Sequence, residues 1–93
     1  MEKYAENISY NHGISINERK LIYVTGVKKV ESFDEDEFLL NTNMGYLKIN
    51  GAELEIIKLD TKTGDISIKG KIDSLNYLDS NKNKESIINK LFK

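Results

Sequence analysis

Short apolar stretches separated by polar residues fill the chain between Ile14 and Leu78. Within each stretch the apolar side chains recur at every second position, which is the period of a half-buried β-strand. The stretches are rich in β-branched and aromatic residues, and turn residues interrupt them about every 8–12 positions. The pattern predicts an all-β domain: a small antiparallel β-sandwich of two sheets, with a partly open β-barrel as the alternative.

The alternation of apolar positions changes phase twice. Leu47 and Ile49 are odd-numbered, whereas Leu54 and Ile56 are even-numbered, so the phase must be reset near Gly51, where a turn with Gly51 at a positive φ would do so. Ile66, Ile68 and Ile72 are even-numbered, whereas Leu75 and Tyr77 are odd-numbered, which predicts a bulge or bend near Asp73 and Ser74. Such phase changes are common where small sheets curl.

The inward-facing positions of this pattern define a predicted core. Its members are Ile14, Ile16, Leu21, Tyr23, Val30, Phe33, Phe38, Leu40, Leu47, Ile49, Leu54, Ile56, Leu59, Ile66, Ile68, Ile72, Leu75 and Tyr77.

The chain divides into three segments: a flexible N-terminal segment (1–13), the β domain (14–79), and a linker with a short amphipathic C-terminal helix (80–93). Four apolar side chains near the end form one stripe on that helix. Because so short a helix is marginal in water, it must dock on its own domain, on another protein or on a membrane surface. The candidate partner-binding residues are therefore Ile87, Ile88, Leu91 and Phe92.

Composition excludes several classes of function. The 93 residues carry a net charge of -1 with a single arginine, Arg19, so we expect no nucleic-acid binding. The chain has no cysteine, which excludes thiolate catalysis and cysteine metal sites. No apolar run is long enough to span a bilayer, and the first residues lack the apolar core of a secretory signal.

No catalytic constellation emerges from the motifs. The stretch TGDISIKGKI (63–72) resembles a phosphate-binding loop, but its glycine spacing is wrong and its centre alternates like a strand. His12 is the only histidine, and DEDE (34–37) lacks the pattern of a calcium loop, so we interpret them as a surface residue and a solvated turn. We predict no catalytic, cofactor-binding or metal-binding residues, no cofactor, and a protein that is not an enzyme.

A collinear block over residues 25–79 resembles the YabP family of sporulation proteins, with the YqfC proteins as more distant kin. The matching elements are TGV (25–27), VESFDEDEFLLNTNMGYLKING (30–51), SIKGK (67–71) and YLD (77–79). The resemblance implies a sporulation protein made in the mother cell of an endospore-forming bacterium and linked to assembly of the spore envelope. It supplies no active-site residue and no cofactor.

These considerations lead to two functional hypotheses. The first is a scaffold or adaptor that acts through protein–protein contacts or self-association in spore-envelope (coat or cortex) assembly, in the mother-cell cytoplasm or at the forespore surface. Exposed strand edges and the C-terminal stripe are its contacts. The alternative is peripheral binding of a membrane surface or an anionic envelope polymer through Lys28, Lys29, Lys82, Lys84, Lys90 and Lys93.

Overall fold

The computed structural model describes residues 11–79, which form six antiparallel β-strands. The strands are β1 (Gly13–Asn17), β2 (Leu21–Thr25), β3 (Val27–Phe33), β4 (Glu37–Thr42), β5 (Gly45–Asp60) and β6 (Asp65–Leu78). They pair in the order β1-β2-β6-β5-β4-β3. The all-β prediction is confirmed, but the strands form one continuous open sheet and not two separate sheets. The predicted C-terminal helix lies outside the described residues, as does most of the predicted N-terminal segment.

The long hairpin β5–β6 is bent over on itself. A straight strand of sixteen residues, the length of β5, spans about 50 Å. Nevertheless, Asn43, just before β5, donates its N–H to the carbonyl of Gly26 (2.9 Å), while the carbonyl of Gly64, just after β5, accepts from the N–H of Val27 (2.9 Å). Both ends of β5 therefore meet two consecutive residues, which is possible only if the hairpin is folded across its middle.

Three register shifts between β5 and β6 accompany the bend. They lie between Asn50 and Gly51, between Ala52 and Glu55, and between Ile56 and Lys58. At the first shift the extra residue, Asp73, belongs to β6. Each extra residue reverses the facing of the side chains that follow it. Both phase changes expected from the sequence are thus confirmed, but the positive φ at the first of them belongs to Glu53 (56°) and not to Gly51.

Two glycines let the strands cross closely at the bend. A Cβ atom on Gly51 would lie 2.0 Å from the carbonyl oxygen of Lys71, and one on Gly70 would lie 2.6 Å from that of Glu53. Gly70 also has a φ of 136°, in a region that L-residues rarely adopt. No other residue type fits at either crossing without displacing backbone.

The turn between β3 and β4 supplies the hydrogen bonds that the bend in β5 loses. The N–H of Gly51 donates to the carbonyl of Asp36 (2.9 Å), and the N–H of Leu54 donates to that of Glu35 (2.8 Å). Buried backbone donors must find such partners when a ladder is interrupted. The turn therefore holds the bend from one side.

The turn between β1 and β2 holds the bend in β6 from the other side. The carbonyls of Lys20 and Arg19 accept from the N–H groups of Gly70 (3.0 Å) and Ile72 (2.8 Å). The side chain of Arg19 adds a bond from Nε to the Ile72 carbonyl (2.9 Å) and an ion pair with Asp73 (3.0 Å). The single arginine of the chain thus acts as a structural clamp.

The wrapped sheet encloses one hydrophobic core. Its buried members are Ile22, Val24, Val27, Phe38, Leu40, Leu47, Ile49, Leu54, Ile66, Ile68 and Ile72, with Ile14, Val30, Ile56 and Leu75 packed against them.

The sequence predicts that Leu21 and Tyr23 of β2 face the core, and this prediction is wrong. Ile22 and Val24 are fully buried, whereas Tyr23 is 39% exposed and Leu21 is half-buried. Tyr23 pairs with Ser67 on β6, so it shares the outer face with a polar residue. Four other predicted core side chains are exposed because they lie at the margins of the sheet: Ile16, Phe33, Leu59 and Tyr77.

Replacement of Gly51 by alanine tests the close crossing. We expect Gly51→Ala to lower the free energy of unfolding by at least about 2 kcal/mol, because the new methyl group meets backbone that cannot move without breaking the bend. Gly13→Ala is the matched control, since its Cβ would meet only Thr25 Oγ1 at 3.5 Å. Urea unfolding of both variants measures the difference, and equal stabilities would contradict the crossing.

The turn between β1 and β2 holds two non-glycine residues at positive φ, Glu18 (53°) and Arg19 (55°). Asparagine tolerates this conformation better than glutamate. We expect Glu18→Asn to raise the free energy of unfolding by about 0.5–1 kcal/mol. Glu18→Thr should lower the free energy of unfolding, because threonine is β-branched and tolerates a positive φ poorly. Urea unfolding measures both variants, and a loss of stability in Glu18→Asn would contradict the backbone strain.

The turn between β5 and β6 predicts a pH dependence. Hydrogen bonds from the backbone N–H groups of Thr63 and Lys62 lower the pKa of the Asp60 carboxyl below its ordinary value. The stability that this carboxylate contributes is complete above the unfolded pKa of about 3.9 and is lost as the pH falls through the lowered folded pKa. We expect Asp60→Asn, which keeps an acceptor but cannot titrate, to lose less stability below pH 4 in acid titrations monitored by circular dichroism. Identical acid profiles would contradict this assignment.

Candidate interaction surface

His12 fastens the start of β1 to the end of β6. Its Nδ1 lies 2.7 Å from the carbonyl oxygen of Thr25, and its Nε2 lies 2.6 Å from the hydroxyl of Tyr77. Because a carbonyl only accepts, Nδ1 donates its proton to Thr25, and Nε2 hydrogen-bonds to the Tyr77 hydroxyl. Partial desolvation raises the pKa of Tyr77 above its ordinary value. Both ring nitrogens are thus engaged in structural contacts.

A charged groove of about 600 Å³ lies beside the bend. Glu35, Glu53, Glu55 and Lys69 line it, and all four side chains are exposed. Glu55 and Lys69 form a solvent-exposed ion pair at 3.8 Å. Within residues 11–79, no three His, Cys, Asp or Glu side chains converge as metal ligands. The groove therefore lacks the buried, convergent carboxylates that acid–base chemistry needs.

The two acidic or glycine-rich motifs adopt the structures expected from the sequence. Asp34 accepts hydrogen bonds from the N–H groups of Asp36 (2.8 Å) and Glu37 (2.9 Å), so DEDE closes a turn. Residues 65–69 belong to β6, and Gly64 ends the preceding turn. Neither motif forms a cradle for phosphate.

One edge of the sheet, β3, is poorly suited to pairing with another strand. Lys28 and Glu31 are extra residues relative to β4, so the strand carries two bulges. Lys29 forms an ion pair with Glu31 (3.9 Å). Bulges and charges of this kind are the devices by which edge strands avoid edge-to-edge association. The free sides of β5 and β6 beyond the bend also carry bulges, at Ile57 and Asp73.

The other edge, β1, has none of these devices. Its five residues, GISIN, contain no charge, and they pair with β2 without a register shift. Among residues 11–79 no strand pairs with its outer side. Ile16 is 42% exposed at this edge, and Tyr23 stands on the outer face opposite Ser15. This edge, with Ile16 and Tyr23, is the candidate interaction surface, and the sequence could not identify it because the order of strands is not a local property.

The predicted site residues fall in two places. The candidate partner-binding residues Ile87, Ile88, Leu91 and Phe92 lie outside the described residues, as do Lys82, Lys84, Lys90 and Lys93. Lys28 and Lys29 are exposed on β3, beside a groove of about 200 Å³. No helix of the length and apolarity that a bilayer crossing needs occurs in residues 11–79.

These features define a small antiparallel β domain whose described surface offers a strand edge and no assembled catalytic group. A family model described as the YabP family matches residues 9–84, a longer stretch than the block recognised from motifs. The chain is also 39% identical to the spore protein YabP of Bacillus subtilis (strain 168) over 94 residues, covering 99% of this chain and 94% of that protein. The chain belongs to the YabP family, a family of sporulation proteins and not a known class of enzymes.

Proposed function

We propose that this protein is a non-catalytic scaffold or adaptor in spore-envelope assembly, working in the mother-cell cytoplasm or at the forespore surface through protein–protein contacts. The spore relative supports the biological setting. The observation that carries the mode of action is the edge of β1, which is regular, uncharged and unpaired within the described residues.

Strand addition at β1 is the contact that this edge favours. An extended segment of a partner, or of a second copy, would bond to the outward-facing backbone groups of β1, and main-chain hydrogen bonds would supply the affinity. Ile16 and Tyr23 lie on opposite faces next to that edge and would contact alternate side chains of the added strand. Specificity would then depend on apolar side chains of the added strand, one on each face of the sheet.

The alternative, binding of a membrane surface or an anionic polymer, has weaker support. Lys28 and Lys29 are exposed, but Lys29 pairs with Glu31, and Asp60 lines the same groove. Interspersed charges of both signs produce little net positive potential. Salt-sensitive capture by anionic liposomes would favour this alternative.

The stripe Ile87, Ile88, Leu91 and Phe92 remains a second candidate contact for a partner. Its apolar side chains need a surface to pack on. Binding to a partner and packing on the chain's own sheet exclude one another, and the labelling experiment described below separates them.

Substitution at the edge tests the proposed contact. We expect Ile16→Lys to reduce self-association or partner capture at least tenfold, because an inward-pointing charge on an edge strand blocks addition of another strand. Ile16 lies outside the buried core cluster, so the domain should stay folded. Sedimentation velocity across concentrations measures self-association, and affinity capture from sporulating cells with mass spectrometry measures partners.

Met44→Lys is the matched control, because Met44 is 69% exposed and lies in the turn between β4 and β5. It should retain the contacts that Ile16→Lys loses. If Ile16→Lys is folded and retains every contact, the edge of β1 is not the binding surface.

A further inference from the structure

Leu39 is buried outside the hydrophobic core. Its neighbours Phe38 and Leu40 are fully buried members of the core cluster. Because facing alternates along a strand, Leu39 points to the opposite, outer face of the sheet. It is nevertheless only 1% exposed and does not belong to the core cluster. Other atoms must therefore lie above it on the outer face.

The strands beside Leu39 offer little apolar cover. Its register partners are Ser32 on β3 and Lys48 on β5. Tyr46 shares the outer face with Lys48 and pairs with Leu78 on β6; both Tyr46 and Leu78 are half-buried. Leu39, Tyr46 and Leu78 thus form a diagonal apolar line across three strands, which we call the outer patch.

The chain itself leaves the sheet at the outer patch. Leu78 is the last residue of β6, and fifteen residues follow it. The polar linker, residues 79–84, can span about 20 Å, whereas Leu39 lies two strand spacings, about 10 Å, from β6. A helix formed by residues 85–93 would be about 13 Å long, enough to cross the three strands of the patch.

The chemistry of the C-terminal segment matches that of the patch. Four of its last seven residues are the apolar stripe Ile87, Ile88, Leu91 and Phe92. Residues 80–93 also carry four lysines, and the half-buried carboxylates of Glu31 and Glu37 lie on the outer face near Leu39. Apolar residues would meet the patch while lysines face its acidic margin.

We propose that the C-terminal stripe packs intramolecularly on the outer patch and covers Leu39. The sheet then carries the core on one face and the C-terminal segment on the other, and this packing does not occupy the edge of β1. The inference does not depend on the proposed function, because it concerns contacts within one chain.

Thiol labelling of Leu39→Cys tests this packing, since the chain has no other cysteine. In the full chain, Cys at this position should react with a maleimide at least about tenfold more slowly than Cys in Met44→Cys, because it is covered. Adding Leu91→Asp and Phe92→Asp should raise its rate at least about tenfold without changing the rate of Met44→Cys. The rates should not depend on protein concentration.

Asn83→Asp with Asn89→Asp is the matched control, because it adds the same two charges outside the stripe and should leave the labelling rate unchanged. If the first aspartate pair disturbs the circular dichroism of the β domain, Ile87→Asn with Ile88→Asn replaces it. Slow labelling that persists in the folded stripe variants overturns the proposal. Protection that is lost on dilution also overturns it, in favour of cover by a second copy.

Discussion

The bend in the β5–β6 hairpin is the constraint on which the rest of the structure depends. Two strands of sixteen and fourteen residues would form a ribbon too long to enclose a core in so short a chain. Gly51 and Gly70 allow the strands to cross, and two turns accept the N–H groups that the interrupted ladder leaves unpaired. Because of the bend, one sheet curls around and encloses the hydrophobic core.

The same bend determines which strand edges are open. Gly26 alone separates β2 from β3 along the chain, yet the two strands do not pair with each other. In the described part of the chain the sheet therefore ends at β1 and β3 without closing. The bulges in β3 reduce its capacity for pairing, whereas β1 is regular. Within residues 11–79, the geometry that builds the core therefore leaves one edge suited to strand addition.

The sequence predicts those features of the fold that are determined by residues close together in the chain. The strand period and the phase changes near Gly51 and Asp73 follow from the chain itself, and the structure bears them out. The local sequence does not determine which face of β2 is buried, because all four residues of LIYV (21–24) are apolar. Pairing of Ile22 with Ile68 on β6 selects the buried side. Likewise, the alternation of Ile14 and Ile16 predicts a strand, but the place of that strand at the edge of the sheet depends on pairings between distant residues that no short motif reports.

A domain of this size can bury only part of its apolar surface in one core. Leu39 shows that burial extends to the second face of the sheet, where the register partners Ser32 and Lys48 are polar. Tyr46 and Leu78 are the apolar strand residues that lie with it on that face. Ile87, Ile88, Leu91 and Phe92 follow Leu78 within fifteen positions of the sequence, so the proposed packing would join two surfaces of one chain at a high effective concentration. In that arrangement a partner would have to bind these four residues much more tightly than the outer patch does to displace them.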